Sequence, residues 1–561
     1  MDSNYWNKNI ARQRLSRRRI LGLVGGGVGS AALLAACGGG SSGNQKAAAP
    51  ALDLGTYSPS EGAPQPGGRI VRWNGGGQPS FNPVQVYTEG TTLGGAYIYD
   101  RPLTGREDSR RYVLEAMETI ETPDPLTVVM KLKPGMTYHD VAPVNGRAVK
   151  ASDVVSGQQY VRDFPAAFDK TFAREYLASA EAPDDRTVVY HLKKPNAYLF
   201  DQTALGNANG QMIIPPETYD NLATGKQVGS GPYSVDSAQL NVGYVYKKFP
   251  RYRGAAKGLP YINETEIRFI PDAAAQEAAF RAGQLDIWSD LTPAQVASVP
   301  KDLGAKVRLA KYPAFQVFAF QLNMTRGFPW QSDVRVREAF WRLINRKQAL
   351  DLALGGEGIL GTGLVAVSHK EYQLDAKDTD PYWAEDVAKA KQLLAASGFD
   401  LTKDWPVISP QNESEVSQVL QQQFARGGIK TKIEVVATSG IRLQRDADND
   451  WVIQTARPPG NDTPGQTLRN QHSKGWSDTF KGFALMDPEI DALIEKSEQT
   501  VDHDENVKLV KQAQFDAIKK YSSCYIMWTT VGNLILQSRV QNYELTLVNG
   551  VSRADMWLKQ A

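Results

Sequence analysis

Cys37 and Cys524 are the only cysteines among 561 residues, so the chain has at most one internal disulfide available, and none if Cys37 is modified. Cys524 lies in the apolar run Cys524-Tyr525-Ile526-Met527-Trp528, where it reads as a small buried hydrophobe. The fold must therefore be held by a large hydrophobic core, which a chain long enough for two or three domains can provide. The net charge of +2 comes from well-mixed charges, so composition predicts no basic face for nucleic acid.

The N-terminus reads as an address. Ser16-Arg17-Arg18-Arg19-Ile20-Leu21 resembles a twin-arginine export signal, and an apolar stretch from Ile20 to Ala36 follows. That stretch is short and interrupted by glycines, each costing a helix about 1 kcal/mol relative to alanine, so it suits a signal peptide better than a permanent span. Leu34-Ala35-Ala36-Cys37 resembles a bacterial lipobox, in which Cys37 would receive a diacylglycerol and become the mature N-terminus. The alternative is a plain signal peptide with an incidental cysteine. Residues 1–37 are thus expected to be the leader, and residues 38–67, rich in Gly, Ser, Ala and Pro, a flexible tether. Gly39-Gly40-Ser41-Ser42-Gly43 matches a nucleophile elbow in letters only, because a tether offers neither the strand before it nor the helix after it.

Along the body, Pro123-Asp124-Pro125-Leu126-Thr127-Val128-Val129 and Pro183-Asp184-Asp185-Arg186-Thr187-Val188-Val189 echo each other. Each places a Pro/Asp turn before a β-branched run, which predicts two strands of one sheet. Lys150 to Tyr160 reads as a helix capped by Ser152 or Asp153. Ser332 and Asp333 can cap a helix with the stripe Val336, Ala339, Phe340, Leu343 and Ile344. Asp386 to Ala396 reads as a helix stopped by Gly398, and Ile429 to Val436 as a strand. Asp487-Pro488-Glu489 opens a helix buried through Ile490, Leu493 and Ile494. The mixture predicts an α/β fold with more than one sheet.

The order of these pieces resembles the extracellular solute-binding proteins of ABC transporters, family 5, which include the oligopeptide- and dipeptide-binding proteins. The stretches that carry the resemblance are Leu132-Lys133-Pro134-Gly135-Met136-Thr137-Tyr138-His139-Asp140, Val228-Gly229-Ser230-Gly231-Pro232-Tyr233, Asp333-Val334-Arg335-Val336-Arg337-Glu338-Ala339-Phe340 and Ala388-Lys389-Ala390-Lys391-Gln392-Leu393-Leu394. The resemblance implies a periplasmic-binding-protein-like α/β fold, two lobes plus an extra domain, closing on a hinge around a cleft. It implies domain I from residues 64–102, 226–310 and 531–561, domain II from 103–225 and domain III from 311–530. It further implies a monomer that delivers a peptide or other small solute to a membrane permease and its ATPase, held to the outer face of the cell membrane by the lipid anchor.

By position in the family, one wall of the cleft is expected near Tyr87, Glu89, Gly90 and Thr91. The other is expected near Thr455, Arg457 and Asp462. Peptide-binding relatives carry an aspartate in the second segment, where this chain has Arg457-Pro458-Pro459 and an Asp462 out of register. Arg457 is suited to clamp a carboxylate in its planar fork, or else forms a solvated surface pair with Asp462. Trp330, Trp451 and Trp476, with Trp73, stand near these segments as candidate aromatic walls or as core. Tyr233 has the same two readings, its glycines shaping a turn rather than a phosphate cradle.

No catalytic residue, metal or cofactor is expected. The five histidines show no HExxH and no metal-ligand spacing. His139 beside Asp140 sits where the family has a structural turn. Gly356-Glu357-Gly358-Ile359-Leu360-Gly361 follows a helix, not the strand a dinucleotide site needs. A secreted hydrolase is the remote alternative. An oligosaccharide, metal chelate or haem as ligand, or a sensing role, would use the same cleft with another lining.

Overall fold

The computed structural model describes residues 62–560 apart from 75–79, 86–88, 107–110, 168–169, 201–210, 438, 459–462, 476–480 and 544–553. The expected leader, Cys37 and nearly all of the expected tether lie outside the described residues. A single ten-stranded sheet runs through the molecule in the order Lys430–Val436, Asp404–Pro410, Ile453–Ala456, Val307–Leu322, Cys524–Gln537, Ile287–Ser289, Arg69–Asn74, Glu264–Phe269, Gly243–Lys248, Tyr233–Gln239. In one half Asp404–Pro410 runs parallel to both its neighbours; in the other, Arg69–Asn74 does the same.

A separate four-stranded antiparallel sheet contains both echoing segments. Thr127–Leu132 and Thr187–Leu192 are direct neighbours, with Val129 opposite Val189 and Met130 opposite Val188. Both strands start from the same turn chemistry. Asp124 Oδ1 accepts the Leu126 amide at 2.7 Å, and Asp184 Oδ1 accepts the Arg186 and Thr187 amides at 2.8 Å. Val128, Met130 and Leu132 are buried on one face with Val188, Tyr190 and Leu192.

The helices form where the caps place them. Asp333 accepts the Arg335 amide at 2.9 Å to start Val334–Leu343, and the whole predicted stripe, including Ile344 at its end, is buried. Asp386 caps Val387–Ser397, which Gly398 closes at φ 69°. Asp487 accepts the Glu489 and Ile490 amides at the start of Pro488–Gln499. The helix after Lys150 is a correction. It spans Ala151–Asp163 with Lys150 at the cap position, and Asp153 reaches back to accept the Lys150 amide at 2.9 Å.

The Val228–Tyr233 loop is a structural knot. Gly231 donates its amide to Ile98 O at 2.7 Å, and a Cβ there would stand 2.7 Å from that same backbone, so only glycine fits. His139 is fully buried between the glycines: its Nδ1 accepts the Gly229 amide at 3.3 Å and its Nε2 donates to Gly231 O at 3.1 Å. Burial holds its pKa down near about 4, so the ring is neutral with a fixed tautomer. Asp140 pairs with Arg251 instead. Among the described residues no helix is long and apolar enough to cross a membrane, and no group of three or more His, Cys, Asp or Glu is placed to hold a metal ion.

Candidate functional site

Two strands, Val307–Leu322 and Cys524–Gln537, carry the ladder from one half of the large sheet to the other. Their near ends belong to different cores. Val317, Phe318, Phe320 and Leu322 pack with Cys524, Ile526 and Trp528 in the largest cluster. Ala310, Leu534 and Leu536 pack with Ile70 and Ile287 in another. Between the cores the pairing breaks: Pro313 faces Val531 and Val317 faces Thr529, so the residues from Ala314 to Gln316 stand opposite Thr530 alone. Pro313 has no amide to donate, which weakens the ladder at the same point. The sheet thus loses register between the two cores.

Arg457 sits at this break. It follows the strand Ile453–Ala456, at the carboxyl ends of the parallel strands Asp404–Pro410 and Ile453–Ala456, where crevices of α/β sheets bind ligands. Its Nη1 donates to Gln316 Oε1 at 3.0 Å, and its Nε lies 3.7 Å from Glu413 Oε1. Gln316 is anchored in turn, its carbonyl accepting the Thr530 hydroxyl at 3.1 Å. Arg442 donates to the Arg457 carbonyl at 3.3 Å and ion-pairs with Asp446. Burial pushes the Asp446 carboxyl up to about 6, against the pull of Arg442. Burial likewise raises Glu413, whose Oε2 is enclosed without a hydrogen-bond partner. Two guanidinium groups and two carboxylates leave the cluster near neutral. Arg457 keeps 45 % of its side chain exposed while Arg442 keeps 5 %, so Arg457 is the cation with surface to offer. Its fork suits a carboxylate.

The other expected residues divide. Tyr87, Asp462 and Trp476 lie outside the described residues. Glu89, Gly90 and Thr91 begin the helix Glu89–Ile98. Thr455 is fully buried, its hydroxyl held by Ser417 and by Ser409. The aromatic-wall expectation is corrected at four positions, where packing takes the ring. Trp330 is enclosed by Phe328, Phe340 and Trp405, with its Nε1 donating to Asn323 O at 2.7 Å. Trp451 packs on Phe483 in a cluster with Ile408 and Val436. Trp73 donates to Ile270 O at 3.0 Å, and Tyr233 meets Tyr97 edge-on within a tyrosine-rich core. Gln316, Glu413, Arg442 and Asp446 were not expected. Only the parallel order of the strands, invisible in the sequence, identifies Glu413 as a residue at a carboxyl end.

The sequence profile of the bacterial extracellular solute-binding proteins, family 5 (middle region), matches residues 113–478. The dipeptide-binding protein of Escherichia coli K12 is 24% identical over 478 residues, covering 79% of this chain and 86% of its own. The structure superposes on the oligopeptide-binding protein AppA of Bacillus subtilis, solved with a nonapeptide, at TM-score 0.76 and 20% identity, covering 89% of this chain and 100% of that one. It superposes on AgaA of A. tumefaciens R10, solved with agropinic acid, at TM-score 0.75 and 21% identity, covering 88% and 99%. These relatives are named as binding proteins, not enzymes. With two cores joined through a broken ladder and a profile match over most of its length, the chain belongs to the bacterial extracellular solute-binding proteins of family 5.

Proposed function

We propose that this protein captures a carboxylate-bearing solute, peptides foremost, between two lobes outside the cytoplasm and delivers it to an ABC permease and its ATPase. The observation that carries the reading is Arg457: a half-exposed guanidinium bonded to Gln316, at the point where the sheet between the cores loses register. A ligand held there would lie beside the break in register, and contacts to both sides would shift the population toward the closed form. The division into residues 64–102, 226–310 and 531–561, then 103–225, then 311–530 belongs to this proposal, as does diacylglycerol at Cys37. The tether would keep the receptor near its permease and raise its effective concentration.

A second reading keeps the fold and changes the ligand to a non-peptide acid. It is favoured by Arg457-Pro458-Pro459 standing where the peptide-binding relatives' pattern places an aspartate, and it is supported by AgaA, similar in fold and solved with agropinic acid. Thermal-shift titration separates the readings. Peptides with a free C-terminus are expected to bind, and their C-terminal amides to bind about ten- to a hundredfold more weakly, as loss of a charge-assisted hydrogen bond implies. Arg457→Ala should abolish that discrimination. Equal binding of acid and amide to the wild type would contradict the clamp. Binding of non-peptide acids with no response to peptides would establish the second reading.

A further inference from the structure

The largest core and the four-stranded sheet meet around Arg469. Arg469, at the end of the helix Pro464–Arg469, is paired with Glu498 on Pro488–Gln499, both side chains under a tenth exposed. Both helices contribute to the largest core, through Leu468, Ile490 and Ile494. The groups that complete this pair come from the four-stranded sheet and its own core. Tyr176 OH donates to Glu498 Oε2 at 3.0 Å, and Glu175 Oε2 lies 3.1 Å from Arg469 Nη2. The Ala197 amide donates to the Glu498 carbonyl at 2.7 Å. Asn506 donates to Tyr198 OH at 3.4 Å, and the Tyr198 ring lies against Gly465, where a Cβ would overlap it.

The chemistry of this junction distinguishes a latch from a weld. Permanent interfaces are dominated by apolar contact. Here Glu175, Tyr176 and the Ala197 amide reach across by an ion pair and hydrogen bonds, and the buried Arg469–Glu498 pair stays intact within its own side when the junction parts. Water can then replace Tyr176, Glu175 and the Ala197 amide, so opening leaves no buried charge unpaired. Val161 and Ala173, beside the four-stranded sheet, pack with Tyr97, Tyr233 and Tyr246 of the large sheet's half beyond the broken strand pair, so rotation at that break would make or release these contacts.

We infer that Glu175, Tyr176 and Ala197 docking on Arg469–Glu498 form a closure latch. It sets the fraction of ligand-free protein in the closed form and thereby scales affinity for every ligand alike, without touching the ligand. This inference rests on the closing motion in the proposed function, but not on the identity of the solute.

Hydrogen exchange on the ligand-free full chain reads the latch through the Ala197 amide. Tyr176→Phe removes only a hydroxyl, and Glu175→Gln only a charge. Each should speed exchange at Ala197 by about tenfold, the equivalent of one charged hydrogen bond. Amides of the strand Thr187–Leu192 should keep their wild-type rates. Unchanged exchange at Ala197 in both variants, or acceleration shared equally by Thr187–Leu192, would overturn the latch. Adding a mixture of di- and tripeptides to the wild type tests the other reading separately. Slower exchange at Ala197 supports peptide capture, and no change contradicts it while leaving the variant comparison to decide the latch.

Discussion

At the residue scale, His139 shows how a side chain that reads as chemistry can serve structure. Its Nδ1 accepts from Gly229 and its Nε2 donates to Gly231, which requires the neutral ring. The folded pKa of about 4 lies below the unfolded value of 6.5, so the unfolded chain binds the proton first as pH falls. Stability is therefore lost progressively below pH 6.5 and levels off below about 4, up to about 3 kcal/mol from this group. His139→Gln, followed by denaturant unfolding from pH 7 to 4, should flatten that part of the profile; an unchanged slope would contradict the assignment. Arg457 is the residue on which the proposed capture turns. The sequence singled it out by position, but its partners Gln316 and Glu413 lie 141 residues before it in one case and on another strand's end in the other, so no local pattern showed them. The tryptophans were ambiguous for a physical reason: a ring fills a core as readily as it lines a wall, and at Trp330 and Trp451 the core took it.

At the scale of elements, local signals were legible and long-range ones were not. Asp333, Asp386 and Asp487 stand at helix starts because their carboxylates satisfy amides two or three residues on, a relation contained in the sequence itself. The Pro/Asp echo gave adjacent strands for the same reason. The order of the ten-stranded sheet was hidden, because Arg69–Asn74 lies between strands that begin at Glu264 and Ile287. The break in the spanning strands was hidden too, since register depends on both partners. Next to it, Gly532 faces Tyr312, and a Cβ would come within 2.5 Å of that ring. Gly532→Ala should destabilise the protein by about 1–3 kcal/mol through overpacking. Adding Tyr312→Ala should restore part of the loss in denaturant unfolding. A tolerated single substitution would show that the strand crossing is looser than its geometry implies.

For the whole molecule, the large apolar cores replace the disulfides that the cysteine count denies it. Cys524 is one buried hydrophobe among them, its thiol pushed up to about 12 by burial. Two of the separate cores are joined by the spanning strand pair, and the proposed capture would bend the body at the break between them. The proposed function comes down to capture of a small solute at the junction that Arg457 marks. Native mass spectrometry of the full chain purified without denaturation tests it most directly. A bound small molecule carrying a carboxylate is expected, retained by the wild type and lost from Arg457→Ala. A solute bound equally by wild type and Arg457→Ala, or a bare chain that takes up neither peptides nor non-peptide acids when they are supplied, would contradict it.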